Sequence, residues 1–540
     1  MLKTELTQLE TDIRKWTQET DQARRDLLVT MQKIQDRYGE VSEQAIRILA
    51  EAYSIQPAEI LGLASLFPEL RLQKSKKYHF KVCDGLACAC ADQQHFYQDL
   101  SKKPEYDPKQ ASDESLFGLD YRGCMGMCDQ RQVVSVNDQL FTAMSGEKLE
   151  TLLENCRSDK ALPASDYRLD SPVFRQHGKG KTPLDQMEPG AVFSGLTKAP
   201  VSALIDQLVR DQVIPSELIR QFQGSNEEPV FVCNTDTAIA GSFAGRVLIA
   251  DHCEFFLECL LACAYLARAK KAILYLTPEY LSLKPILVHL LKKIISPGLK
   301  QRFALAEEDY ICEVDIRLSP GFVGGGFNHI VEIAVNSDRF AGKRPEIPFS
   351  PSVTLDAQSV FQIGLHLAAQ GQDAPEVALA PVSIIALSGA CEQPGIYLTD
   401  RQTIISDFLD KAGCDRPAGI WVDGLMGGFH SAQEFGKTFS ELGIRSVCQI
   451  VVLGGKADLH SAAGRLLKTL SENSCGQCAP CREGLSRMFE IYRQPKNGLH
   501  SKTVELVSIA ECVNSASKCD YGRKSAECVL SWLTAFPESI

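Results

Sequence analysis

The chain has no uninterrupted apolar run of the length a membrane span needs. The best stretch, Phe255 to Ala267, is short and carries Glu258, so it reads as a buried helix. The opening residues, MLKTELTQLETDIRKW, are charged and have no apolar centre of the secretory kind. Positive charge is also short. Lys and Arg number 57 against 68 Asp and Glu, a formal net charge of −11, which argues against a general nucleic-acid binder. No repeat of fixed period is visible. The remainder is ordinary globular composition, with 540 residues, 44% hydrophobic and 23% charged. At roughly 150 residues each that supplies about three or four cores and excludes disorder as the main state. The excess lies in cysteine, at 20 residues. A reduced, cytoplasmic setting is expected, free or on a membrane-associated complex. There, clustered cysteines more often mean metal or redox chemistry than disulfides.

Periodicity divides the chain. Leu27, Met31, Ile34 and Tyr38 recur at helical spacing, VSEQAIRILAEAYSI continues the pattern with Ser42 as its cap, and Gln56-Pro57 starts another short helix. Residues 1–75 therefore read as a helical bundle. In 76–157, YHFKVC, SLFGLDYRG and QVVSVND read as strands and ADQQHFYQDLSKK as a helix, a small α/β domain. Residues 158–195 are rich in Asp, Pro, Gly, Lys and Ser and read as a linker or draped extension. Residues 196–376 are α/β, with strands PVFVCN, RVLIA and KAILYL and helices CEFFLECLLACAYLARA and LSLKPILVHLLKKII. VSIIALSGA, Gly395-Ile-Tyr and TIISDFLDKAG suggest a β-grasp-like module over 377–455, and 456–540 is mostly helical.

Two cysteine constellations stand out. Cys83-Asp-Gly-Leu-Ala-Cys88 and Cys124-Met-Gly-Met-Cys128 form C-x4-C and C-x3-C pairs, each where a strand gives way to a loop. Gly85, Gly123 and Gly126 allow tight turns that aim amides at sulfur. Four thiolates suit zinc or an iron–sulfur cluster, and spacing alone leaves both open. The second constellation, Cys475-Gly-Gln-Cys478-Ala-Pro-Cys481, puts three thiolates on one loop, the run of a [4Fe–4S] site whose fourth ligand lies elsewhere. Cys512, Cys519 and Cys528 are the candidates, and Cys519, in SKCDYG, sits at a break between helices. The other cysteines show no ligand spacing, and Cys259 and Cys263 read as core packing.

The order of these motifs resembles a fusion of two peripheral-arm subunits of respiratory complex I. One is the small thioredoxin-like [2Fe–2S] subunit; the other is the large subunit with FMN, NADH and [4Fe–4S] sites. Similar pairs occur in NAD-linked formate dehydrogenases and in hydrogenases. ILAEAYSIQPAEILGLASLFPEL, VCDGLACACAD and CMGMCDQRQVVSVND resemble the small subunit. SGACEQPGIYLTDRQTIISDFLDKAG resembles the ubiquitin-like SLBB module, and SENSCGQCAPCREG the large subunit's cluster loop. The resemblance makes Cys83, Cys88, Cys124 and Cys128 [2Fe–2S] ligands, and Cys475, Cys478, Cys481 and Cys519 [4Fe–4S] ligands. It implies a helical bundle, a thioredoxin-like domain, a flavin-subunit-like α/β domain, an SLBB-like module and a C-terminal helical bundle.

The flavin part departs from the pattern. The family's GRGGAGFP-type loop corresponds to PSELIRQFQGSNEEP, where only Gly224 is available. Its NADE-type segment reads Asn234-Thr-Asp236-Thr237-Ala-Ile239-Ala-Gly241-Ser-Phe-Ala-Gly-Arg246, with both acidic positions lost. Its paired glutamates map onto Phe327-Asn328 and its paired asparagines into TLDAQSV. Each lost charged hydrogen bond is worth roughly 1.5–3 kcal/mol, so FMN and NADH binding are expected to be lost or greatly weakened. Gly324-Gly325-Gly326 reads as a tight turn. The expected function is one-electron relay within a larger oxidoreductase: a formate dehydrogenase, hydrogenase or complex I-like assembly. Its partners would be catalytic and electron-transfer subunits. An NADH-oxidising diaphorase subunit with a divergent pocket and a zinc-bound scaffold are the alternatives.

Overall fold

The computed structural model describes residues 3–18, 27–65, 70–72, 76–93, 116–137, 139–164, 175–176, 190–210, 213–214, 229–235, 243–277, 280, 283–295, 312–318, 352–371, 382–445, 447–454, 459–474, 476, 478–494 and 503–539. Helices Lys3–Gln18, Leu27–Tyr38, Glu43–Tyr53 and Pro57–Ser65 open the chain. Their apolar stripes meet in a separate core of Leu9, Ile13, Met31, Ile34, Leu49 and Ile60. Ser42 caps the third helix by accepting from the Ala45 amide at 3.3 Å.

A four-stranded sheet follows, in the order Phe117–Arg122, Tyr78–Cys83, Val134–Val136, Gln139–Phe141. The first pair is parallel and the others antiparallel. Helix Gly146–Arg157 packs Leu149, Leu152 and Leu153 on one face. The expected strands are all present. Most of the helix expected over ADQQHFYQDLSKK lies outside the described residues.

The middle unit is a parallel sheet in the order Glu313–Leu318, Lys271–Leu276, Val230–Asn234, Ser352–Asp356. Its two central strands, Lys271–Leu276 and Val230–Asn234, are near-continuous apolar runs, as burial on both faces requires, whereas the edge strands alternate apolar with polar or charged residues. The run RVLIA, expected as a strand, is helical instead, within Ala244–Asp251. Four apolar residues after Arg246 carry no decisive period, and a parallel crossover supplies the deciding context. Helix Cys253–Leu266 follows, buried along nearly its whole length. Its Glu258 is buried and accepts from the Gly190 amide at 3.1 Å. Strand order places a topological switch point between Val230–Asn234 and Ser352–Asp356, where α/β sheets take ligands.

A mixed six-stranded sheet comes next, in the order Phe429–Ser431, Pro417–Val422, Val447–Gly454, Val382–Gly389, Gly395–Asp400, Arg175–Gln176. The last strand comes from the stretch read as a linker and runs parallel to Tyr397-Leu398. Alternation decides what each face covers. Ile385 and Leu387 pack under helix Ile405–Lys411, whereas Ile384 and Ala386 face the core shared with the middle unit. Helices Leu459–Glu472, Ala479–Tyr492, Thr503–Ala516 and Asp520–Ala535 close the chain. The last docks on the sheet through Trp532 and Phe429, with ring centroids 4.8 Å apart. Among the described residues, no helix is long and apolar enough to cross a membrane.

Candidate metal centres

Parallel pairing sets Cys83 opposite Arg122, so both cysteine loops leave the same end of the first sheet. The four thiols lie there as two pairs, each thiol no more than 5% exposed. Cys124 and Cys128 sulfurs lie 3.2 Å apart. Cys83 and Cys88 hydrogen-bond to each other. The Cys83 thiol is lowered by that bond, against burial, with help from the Gly85 and Met125 amides. Cys88 is pushed well up by the same bond and by burial, and Cys128 likewise by Cys124 and by burial. The Gly126 amide donates to Cys124 Sγ at 3.4 Å. Two pairs of sulfurs suit two irons, and amides aimed at sulfur suit thiolates. Among the described residues, no three or more His, Cys, Asp or Glu side chains are arranged to hold one metal ion; these sulfurs lie as two contacting pairs.

Gly126 has φ +69°, and a Cβ there would lie 2.8 Å from the Tyr280 hydroxyl of the middle unit. Gly126→Ala is therefore expected to cost at least about 1–2 kcal/mol from the left-handed backbone alone, read as a lower thermal midpoint.

At the second constellation, Cys478 is the N-cap of helix Ala479–Tyr492 and Cys519 is the N-cap of helix Asp520–Ala535. The partial positive charge of a helix N-terminus suits an anionic ligand set. The two N-termini meet, since a Cβ on Gly522 would lie 3.1 Å from that of Cys481. Cys481 is buried, with its sulfur 3.3 Å from Ser474 Oγ. Cys475 lies outside the described residues. Cys512 is exposed on its own helix, and Cys528 is fully buried along the last helix, its thiol pushed up to about 12 by burial. Of the three candidates for the fourth position, Cys519 alone stands at a helix N-terminus beside Cys481. Cys259 and Cys263 are fully buried in the core, as read from their apolar surroundings.

The switch-point crevice is differently furnished. Asp356 spends one oxygen on the Ser359 amide at 2.8 Å and the other on the Ser359 hydroxyl at 2.6 Å. Gln358 is buried and donates to the Ile384 and Cys448 carbonyls at 3.0 and 3.1 Å. Thr235 donates to the Tyr275 carbonyl at 2.9 Å. Arg246 is fully buried and paired with Asp129, next to Cys128. Gly224, Asp236, Thr237, Ile239, Gly241, Gly324, Gly325, Gly326, Phe327 and Asn328 lie outside the described residues.

Sequence reasoning did not single out Asp84 and Asp129, each directly after a cysteine of the first centre. Asp84 pairs with Arg465 and Lys468, and Asp129 with Arg246. Arg131, three residues after Cys128, donates to the Gly389 and Cys391 carbonyls at 2.7 and 2.6 Å. The repeated Cys-Asp dipeptide was the available signal.

Residues 13–157 match the thioredoxin-like [2Fe-2S] ferredoxin family, and residues 461–540 match the NADH-ubiquinone oxidoreductase-F iron-sulfur binding region. The chain is a fusion of a thioredoxin-like [2Fe–2S] domain and an NADH dehydrogenase-type [4Fe–4S] domain, matching diaphorase-type subunits of hydrogenases and complex I. More particularly, it is 21% identical to the NAD-reducing hydrogenase HoxS subunit alpha of Cupriavidus necator, over 94% of this chain and 90% of that one. It is 26% identical to NADH-quinone oxidoreductase subunit 2 of Thermus thermophilus, over 25% of this chain and 76% of the other. A crystal structure of an NAD+-reducing [NiFe]-hydrogenase in the H2-reduced state superposes with a TM-score of 0.76 at 20% identity, covering 94% of this chain and 91% of that one. The chain is an iron–sulfur electron-transfer subunit homologous to these diaphorase-type subunits.

Proposed function

We propose that this chain relays single electrons between two clusters and has lost the flavin and NADH site of its relatives. Cys83, Cys88, Cys124 and Cys128 hold a [2Fe–2S] cluster; Cys475, Cys478, Cys481 and Cys519 hold a [4Fe–4S] cluster. The observation that carries this reading is the meeting of two buried cysteine pairs under backbone amides. When bound, the clusters supply one-electron carriers. The Gly85, Met125 and Gly126 amides stabilise charge on sulfur, and the Tyr280 side keeps water away. The helix N-termini at Cys478 and Cys519 do the same electrostatic work at the second site.

The lost flavin site is supported by Asp356 and Gln358, whose polar atoms bond within the scaffold, and by Arg246, which is turned to Asp129. Electrons then come from and go to partner proteins, a catalytic and an electron-transfer subunit of a cytoplasmic oxidoreductase such as a hydrogenase or formate dehydrogenase. The domains divide as residues 1–75, 76–157, 158–195, 196–376, 377–455 and 456–540, with an SLBB-like β-grasp module in 377–455. One measurement tests the whole reading: iron, acid-labile sulfide, zinc and flavin counted on the native protein. About six irons and six sulfides per chain, without flavin, is the expected result. One flavin per chain would restore the diaphorase alternative, and zinc without iron or sulfide the scaffold.

A further inference from the structure

Asp84, directly after Cys83, is bonded outside its own domain. Its Oδ1 pairs with Arg465, and its Oδ2 lies 3.4 Å from Lys468 Nζ. The two cations sit one turn apart on helix Leu459–Glu472, which runs on to Ser474 and the second cysteine loop. Lys468 Nζ also stands 5.8 Å from the centre of the Tyr121 ring, on the strand that leads to Cys124. The side chains of Asp84, Arg465 and Lys468 are 17%, 22% and 34% exposed, so salt screens this group less than a surface pair. Two positive charges thus meet Asp84 at the edge of the first centre, with Glu472 also 3.8 Å from Lys468, and both cations come from the domain that carries the second.

We propose that Arg465 and Lys468, seated on Asp84, set the reduction potential of the [2Fe–2S] site, so that docking of the [4Fe–4S] domain makes that site easier to reduce. This rests on the assignment of Cys83, Cys88, Cys124 and Cys128 as its ligands. Reduction adds one negative charge to the cluster. Neighbouring positive charge stabilises that state, and neighbouring negative charge opposes it. With the cations docked, Arg465 and Lys468 offset the charges of Asp84 and Glu472; with them gone, Asp84 confronts the reduced cluster without its partners. The helix from Arg465 to Ser474 spans roughly 13 Å, so the second cluster feels these charges less. Arg465 and Lys468 are positioning residues, acting through Asp84 and through their field, with no bond to iron.

The test is a redox titration of the full chain with its native clusters, followed by electron paramagnetic resonance. Arg465→Gln shifts the [2Fe–2S] midpoint to more negative potential. The expected size is about tenfold in the ratio of oxidised to reduced cluster at fixed ambient potential, about 59 mV. Arg465→Lys keeps the midpoint near its original value. Arg465→Gln with Lys468→Gln gives the largest negative shift, and adding Asp84→Asn to that pair moves it back up. General loosening would not reverse sign on that third substitution. If the [2Fe–2S] signal is present and the midpoint stays still, or moves up in Arg465→Gln, the proposal falls while the ligand assignment stands. If the unsubstituted chain has no [2Fe–2S] signal, the ligand assignment fails, and this proposal with it.

Discussion

Cys478→Ser removes the [4Fe–4S] resonance from the spectrum of the purified chain and leaves the [2Fe–2S] resonance in place. The reason is local. Cys478 caps one helix and Cys519 another, and the two helix ends meet at Cys481, so an anionic centre there would lie in the field of both helix N-termini. A serine hydroxyl is a poor iron ligand, and a cluster with three of four sulfurs is easily lost. Cys519→Ser gives the same loss. Cys512→Ser, on an exposed helix face, does not. Cys528→Ser lowers stability by burying a hydroxyl in the core but keeps the cluster signal. A spectrum in which Cys512→Ser or Cys528→Ser erases the cluster while Cys519→Ser spares it reassigns the fourth ligand. Loss of both resonances from Cys478→Ser would mean that the two centres do not assemble independently.

The second large effect is on stability. Arg246→Met is expected to destabilise the chain by about 3–5 kcal/mol, seen in chemical denaturation, because it leaves the Asp129 carboxylate charged and buried without its cation. Arg246 and Asp129 are 0% and 1% exposed at their side chains, and the pair joins the loop of the first centre to the middle unit. Asp129→Leu alone strands the guanidinium and costs a similar amount. Combined, Arg246→Met and Asp129→Leu recover most of the loss, because two apolar side chains can fill that space without desolvating a charge. A double variant as unstable as the sum of the singles would show that the two residues do not act as a pair.

Short-range chemistry is legible in the sequence. The strands that present Cys83 and precede Cys124 follow from alternation, and the cap at Ser42 follows from residue type. The approach of the two thiol pairs at one sheet end needs more than spacing. It needs the parallel pairing of Tyr78–Cys83 with Phe117–Arg122, which sets both loops at one end. RVLIA differs from its expected strand because four apolar residues in a row fit a strand and a buried helix equally well. Arg246 ends the NADE-type segment, and in the fold it serves Asp129, 117 positions earlier. No periodicity records a partner that far away. The same holds for Asp84 and Arg465, separated by 381 positions, and for the edge strand Arg175–Gln176 inside a stretch that looked like connector.

The Cys124–Cys128 loop lies against Tyr280, with its neighbour Asp129 clasped by Arg246, so its thiols are walled in by residues translated much later. Whatever those thiols bind has to reach them before that wall is in place or through an opening of it. Synthesis runs from the N-terminus, so Cys124 and Cys128 emerge before Arg246 and Tyr280 exist to cover them.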